Sequence, residues 1–160
     1  MTRVELVRWA EGNLDLLTRL LGDPAMTEHL GGPETGAQIA ARQERYEATE
    51  TGLYKILADG EEAGWVGWWE RDGELEIGWA VLPELQGRGI AAAATRAALD
   101  RAKEDGRFRY VHAFPSVDNA PSNAICRKAG FKLLGERAFE YPPGNPLRCN
   151  EWRFDLYDVL

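Results

Sequence analysis

Cysteine and histidine are scarce in this chain, with two of each among 160 residues. Cys126 and Cys149 form no CxxC pair and have no His-rich neighbourhood, so neither a disulfide framework nor a zinc site is indicated. The expectation is a reduced, cytoplasmic protein that needs no metal. Long apolar runs are also missing: the longest, such as Ile90 to Ala94, fall far short of the roughly 18 residues a bilayer span requires. No cationic stretch followed by an apolar one stands near Met1, so neither membrane insertion nor export through a signal peptide is expected. Basic charge is in deficit too. Nineteen Lys and Arg against 26 Asp and Glu leave a net −7, a surface that repels phosphate backbones and argues against a nucleic-acid partner. It suits a cationic or amine-bearing molecule better.

What is present is ordinary for a globular protein: 44% hydrophobic and 28% charged residues in a chain long enough for one real core. No internal repeat, low-complexity tract or linker divides it, so residues 1–160 are expected to form a single domain. Val4, Leu6 and Trp9 read as a short strand, followed by a helix with Leu14, Leu17 and Leu21 on one face that stops at Gly22. Asp23 and Pro24 predict a second short helix ending at Gly31-Gly32-Pro33. Thr35 and Gln38 make a capping box for a helix from Gly36 to Thr49.

The period then changes to two. Leu53 to Ala58, Gly64 to Glu70 and Leu75 to Leu82 are rich in aromatic and β-branched residues and are separated by Asp59-Gly60 and Asp72-Gly73, which predicts a three-stranded antiparallel meander. A helix over Gly89 to Asp105, a strand over Phe108 to Phe114, a helix over Asn119 to Ala129 and two last strands, Phe131 to Tyr141 and Cys149 to Tyr157, complete an α/β domain with a mixed sheet.

The densest chemical signal is Pro83-Glu84-Leu85-Gln86-Gly87-Arg88-Gly89-Ile90-Ala91, lying between a strand and an Ala-rich helix. Two glycines beside a helix start let several unpaired N–H groups converge at the positive end of the helix dipole, a socket for a phosphate or pyrophosphate. Gly87-x-Gly89-x-x-Ala92 formally matches a dinucleotide-binding fingerprint, but four residues separate Leu82 from Gly87 and no acidic residue follows at the required distance. No Lys-Ser/Thr follows the glycines either, so a Walker-type loop fails as well. The second motif runs from Asn119 to Phe131: Asn119 as cap, Pro121 in the first turn, Gly130 as terminator.

Joined through the intervening strand, these two motifs resemble the GNAT superfamily of N-acetyltransferases, and within it the ribosomal-protein alanine acetyltransferases and their relatives. The match includes Gln86 to Ala91 as the Gln/Arg-x-x-Gly-x-Gly/Ala motif, the strand Glu76-Ile77-Gly78-Trp79 before it, and Asn119 to Phe131. The resemblance implies a cleft where two parallel strands splay apart, acetyl-CoA bound in it, and transfer of its acetyl group to an amine without a metal. It implies that the backbone of Val81 pairs with the pantetheine arm and polarises the thioester carbonyl. Gln86, Gly87, Arg88, Gly89, Ile90 and Ala91 would form the pyrophosphate loop, and Asn119 and Ser122 would reach the pantetheine from the second helix.

Glu76 sits where many members keep the carboxylate that deprotonates the acceptor. The residues support that placement, because Glu76 alternates with Leu75 and Ile77 and shares a face with the small Gly78 and Ala80; Glu74, on the same face, is a substitute. Cys126 stands where many members carry a tyrosine as general acid for the departing thiolate. A thiol can donate a proton, but a small buried helix residue is also simple packing, and solvent is the competing donor. Trp65, Trp68, Trp69 and Trp79 form a strand-period aromatic set, mostly core, with Trp68 a candidate for the acceptor pocket. His29 and the loop to Glu34, together with Tyr141 to Asn145, are expected to frame that pocket, and Arg127 with Lys128 to meet the 3′-phosphate of CoA.

The expected activity is therefore N-acetylation of a small-molecule or peptide amine by direct attack in a ternary complex. Two alternatives share the fold: a catalytically silent CoA-binding module, and an acyltransferase using a longer acyl-CoA. The acceptor's identity and the oligomeric state, monomer or homodimer, stay open.

Overall fold

The computed structural model describes residues 2–29, 31–140 and 143–158. A single mixed sheet runs through it. Its strands are β1 (Val4–Arg8), β2 (Leu53–Ala58), β3 (Glu61–Arg71), β4 (Glu74–Val81), β5 (Tyr110–Ala113), β6 (Lys132–Glu140) and β7 (Pro146–Asp155), in the spatial order β1-β2-β3-β4-β5-β7-β6. The helices are α1 (Leu14–Leu21), α2 (Gly36–Ala48), α3 (Ile90–Asp105) and α4 (Ala120–Ala129). Asp59 and Gly60, and again Asp72 and Gly73, all have positive φ, the requirement of tight two-residue hairpin turns, and this is why the three central strands form a meander.

Helix ends follow the side-chain chemistry. Gln38 N–H donates to Thr35 Oγ1 at 3.2 Å while Thr35 N–H donates to Gln38 Oε1 at 2.8 Å, so the capping box exists and α2 starts at Gly36. Two expectations need correction. No second helix follows Asp23: the segment is a set of turns in which Ala25 N–H meets Asp23 Oδ1 at 2.9 Å and Met26 N–H meets Asp23 O at 3.1 Å, too short a run to propagate a helix before Gly31 and Gly32 turn left-handed. In α1 the buried stripe is Leu16, Leu17, Leu20 and Leu21, and Leu14 lies in solvent.

The two faces of the sheet carry separate cores. Leu75, Ile77, Val111, Ala113 and Trp152 pack under Ile90, Ala94 and Ala98 of α3 and Cys126 of α4. On the opposite face α1 and α2 cover only one end, with Trp9, Leu17, Leu20, Ile39 and Leu53 packed together and Trp65 and Ala80 at their border. The other end of that face, along the middle of β4 and β5, is left uncovered by a helix.

Candidate active site

Strands β4 and β5 are parallel neighbours for only two registers, Leu75 with Val111 and Glu76 with His112. Beyond that point β5 ends at Ala113 while β4 continues to Val81 along β3 alone, so the sheet opens between them. Leu82 N–H is spent on Ala63 O at 2.8 Å, and alternation along the strand turns the backbone N–H groups of Val81 and Trp79 the other way, toward the opening. The expected splayed pair is present.

Glu76 stands at the mouth of the opening, on the face away from α3. Its side chain is 13% exposed, and its Oε1 is buried with no hydrogen-bond partner. Arg71 Nε lies 3.4 Å from that oxygen as an ion pair. Burial raises the Glu76 carboxyl above its ordinary value, and Arg71 only partly opposes this, so the group holds a proton more tightly than a solvated glutamate. Beside it a Cβ at Gly78 would stand 2.9 Å from Trp69 Cη2 and 3.3 Å from Trp65 Cη2, so only glycine lets the two indoles lie over the strand. Trp65 and Trp69 therefore flank the Glu76 face. Trp68, by contrast, is buried on the α3 side against Tyr54, with ring centroids 5.5 Å apart, because it is one register out of phase with them.

A cavity of about 150 Å³ opens here, lined by Arg71, Glu74, Glu76, His112, Phe114 and Arg137 among others. His112 is 7% exposed; its Nδ1 lies 3.1 Å from Glu151 Oε2, its Nε2 lies 3.8 Å from Glu74 Oε2, and its ring stacks on Phe114. Glu74, His112 and Glu151 each offer one possible metal-ligating atom, and the three atoms lie within 4.8 Å of one another. Glu151 holds Nδ1 at hydrogen-bond length, while Glu74 stands beyond that length from Nε2. Neither His112 nor Glu151 stood out in the sequence. The alternation of His112 with Val111 and Ala113 was visible, but its partners come from β4 and β7.

At the far end of β4, Pro83–Leu85 makes one 3₁₀ turn and Gln86 Nε2 donates to Val81 O at 2.9 Å, tying the loop back to the strand. Gly87 and Gly89 have φ of 79° and 78°, and a Cβ on either would meet nothing within 4 Å. No side chain caps α3, whose first internal bond runs from Ala93 N–H to Gly89 O, so the N–H groups of Ile90, Ala91 and Ala92 are left without an intrahelical acceptor. Arg88 contributes backbone only: its guanidinium reaches Thr2 Oγ1 at 3.4 Å and Asp59 at 3.8 Å. Ile90 likewise buries its side chain in the core.

On α4, Asn119 Oδ1 accepts from Ser122 N–H at 3.2 Å, and both residues remain partly exposed. The next residue, Asn123, is the hub that sequence reasoning missed. Its amide donates to Ser116 O and Asn119 O, at 3.0 and 2.8 Å, while its Oδ1 accepts from Asn150 Nδ2 and Trp152 Nε1, at 2.9 and 2.8 Å. Cys126 is fully buried in the α3-side core, and burial pushes its thiol up to about 12. It does not share a face with Glu76. Among the described residues His29 pairs with its neighbour Glu28, at 3.5 Å. Tyr141 lies outside the described residues; among those described, Arg137 and Phe139 of β6 form the far wall of the cavity. Arg127 lies over the Trp152 ring at 5.5 Å and stays solvent-exposed with Lys128.

Residues 3–132 match the family model described as the acetyltransferase (GNAT) domain. The chain belongs to the GNAT acetyltransferase family. Solved structures show how widely this GNAT fold is shared. A GNAT-family acetyltransferase from Bacillus anthracis is 16% identical with a TM-score of 0.86, covering 98% of this chain and 96% of its own. An acetyltransferase from Salmonella typhimurium that modifies the N-terminal serine of a 50S ribosomal subunit protein is 22% identical at TM-score 0.79, covering 95% and 94%. An aminoglycoside acetyltransferase in complex with coenzyme A is 20% identical at TM-score 0.73, covering 97% and 95%. Among the described residues of this GNAT chain no helix is long and apolar enough to cross a membrane.

Proposed function

We propose that this chain transfers the acetyl group of acetyl-CoA to the amine of a small molecule or a protein N-terminus, by direct attack within a ternary complex and without a metal. The observation that carries the reading is Glu76, a buried carboxylate with an oxygen that accepts no hydrogen bond and a raised affinity for protons, where β4 and β5 part. A solvated strand charge would have neither property.

The residues present fit acetyl-CoA. Uncapped N–H groups at the α3 N-terminus, with open space over Gly87 and Gly89, suit a pyrophosphate, and the free edge of β4 near Val81 suits an amide-bearing arm. Asn119 and Ser122, both partly exposed at the start of α4, would meet that arm. Glu76 takes a proton from the amine as its nitrogen attacks the thioester carbon. Backbone N–H at the free edge of β4 receives the developing oxyanion, and the C–S bond breaks. The leaving thiolate takes its proton from water, since Cys126 is sealed in the core and is a weak acid.

The acceptor class is read from the same face. Asp72, Glu74 and Glu76 outweigh Arg71 and Arg137 in the cavity lining, which with the rings of Phe114 and Phe139 favours an ammonium-bearing molecule. Comparable likenesses to an aminoglycoside acetyltransferase and to one acting on an N-terminal serine support both a small amine and a peptide as acceptor. The test is amine-dependent release of free thiol from acetyl-CoA across such a panel; no thiol above the acceptor-free rate would overturn the reading.

A further inference from the structure

We propose that His112 and Glu151 form a second proton-accepting pair in the acceptor cavity, taking from the incoming ammonium the proton that Glu76 does not. This rests on the amine-acetylation reading above. Overall, R–NH₃⁺ and acetyl–S–CoA give acetyl–NH–R, H–S–CoA and one H⁺. Nitrogen attacks only through a free lone pair, so one proton must leave before the N–C bond forms, because an alkylamine is mostly ammonium at neutral pH. A second leaves as the N–C bond forms and the C–S bond breaks. Water supplies the thiolate's proton, leaving one proton released. Glu76 is a single carboxylate and accepts one of the two.

The geometry supplies the other acceptor. His112 is the register partner of Glu76 on β5, and both line the same cavity. A carboxylate only accepts, so in the 3.1 Å contact Nδ1–H of His112 donates to Glu151, which leaves the lone pair on Nε2. Stacking against Phe114, centroids 6.1 Å apart at 8°, fixes the plane of the ring. Nε2 faces Glu74 Oε2 at 3.8 Å, beyond hydrogen-bond length, so its lone pair is unspent. The side chain of Glu74 is 53% exposed and passes the proton to solvent.

Charged groups approach the imidazole from every neighbouring strand. Glu74 and Glu76 come from β4 and Arg71 from β3, with Asp72 in the turn between them; Glu151 and Arg153 come from β7 and Arg137 from β6. Arg71 is committed to Glu76 at 3.4 Å, Arg137 to Glu151 Oε1 at 3.5 Å, and Arg153 lies over the Tyr110 ring at 4.3 Å. The charged groups nearest the two ring nitrogens are thus both carboxylates, Glu151 at Nδ1 and Glu74 at Nε2.

The experiment measures thiol release from acetyl-CoA with spermidine, kanamycin and a serine-initiated peptide as probes, and carries the best of them forward. His112→Ala is expected to lower kcat at pH 7 about 10²-fold, the lower range for a positioned base, with acetyl-CoA KM and the CoA-induced thermal shift unchanged. Added imidazole should restore activity in proportion to its concentration. Glu151→Gln no longer offers Nδ1–H an obligate acceptor, so kcat is expected to fall with acetyl-CoA KM unchanged, and combining it with His112→Ala should cost little more than His112→Ala alone. A His112→Ala enzyme close to wild type, or a loss that imidazole leaves untouched while Glu151→Gln keeps the wild-type kcat, would overturn the proposal and make His112 a packing residue. Absence of thiol release by the wild-type enzyme with all the probes would instead remove the acetyl-transfer reading, and the role of the pair with it.

Discussion

Gln86 donates its side-chain N–H to the carbonyl of Val81 at 2.9 Å, closing the loop between β4 and α3 onto the end of the strand that precedes it. One bond thereby couples the uncapped helix start to the free strand edge, the two features that suit opposite ends of the same cosubstrate. Gln86→Ala is expected to weaken CoA binding by about fivefold, the effect of losing one hydrogen bond of about 1 kcal/mol, without unfolding the domain. Gly89→Val should abolish binding, since Gly89 has φ 78° and a branched side chain is strained there. The measurement is thermal shift with CoA, where a ligand at 100 times its Kd adds about 2.7 kcal/mol in the parent. An unchanged shift in Gly89→Val would make the loop purely structural.

Glu76→Gln should separate activity from stability. Turnover is expected to fall roughly 10²–10⁴-fold at neutral pH with CoA binding intact, recovering in part at high pH where more acceptor is already free amine. The carboxyl is raised in the folded state, so its protonated form is the one folding favours. That advantage is present below the ordinary value near 4.5 and is lost as pH rises through the folded value. At pH 7 the variant should therefore melt at or above the parent's temperature, and the difference should vanish below about pH 4. Melting curves across this range check the sign, and a variant that is less stable only at pH 7 would contradict it.

Cys126→Ala is expected to keep most of its activity and to lose about 1 kcal/mol of stability from the small void under α4. With its thiol pushed up to about 12 and fully buried, Cys126 should also resist alkylation in the native state and react only on unfolding. A hundredfold fall in turnover with CoA affinity preserved would make the thiol the proton donor after all.

Asn123→Ala removes a side chain that satisfies Ser116 O, Asn119 O, Asn150 Nδ2 and Trp152 Nε1 together. Leaving such groups unmet in a buried site should cost about 3 kcal/mol or more, read from urea unfolding. Because Asn119 is one of those partners, the KM for acetyl-CoA should rise as well, and a loss below about 1 kcal/mol would show that water replaces the amide.

Acceptor preference should follow charge. With a net −7 and carboxylates around the cavity, kcat/KM for cationic amines is expected to fall with added salt, as the Debye length shortens from about 10 Å at 0.1 M to about 3 Å at 1 M. A best substrate that is neutral or anionic, with salt-independent kinetics, would overturn this.

Local chemistry made much of the domain legible before any coordinates. The Asp-Gly pairs demanded left-handed turns, the Thr35–Gln38 pair started a helix, and Gly87 and Gly89 marked a turn into an uncapped one, because each is decided by residues within a few positions of one another. Alternation along β4 placed Glu76 opposite Leu75 and Ile77 for the same reason. Where the signal was weak and local, as in the run after Asp23, propensity alone extended a turn into a helix that tertiary packing does not support.

The cavity could not be read that way. His112 meets Glu151 across 39 residues, and Asn123 meets Trp152 across 29, through strands whose register is set by the whole sheet. Trp68 and Trp69 are adjacent in sequence, yet Trp68 lies in the α3-side core and Trp69 stands half-buried on the opposite face, since a strand turns successive side chains to opposite faces and only the helices packed on each side decide which face is closed. The sequence by itself determined the turns, the helix starts and the donor-rich loop. Tertiary structure alone decided where β5 stops pairing with β4, and with that which buried carboxylate faces open space and which imidazole stands beside it.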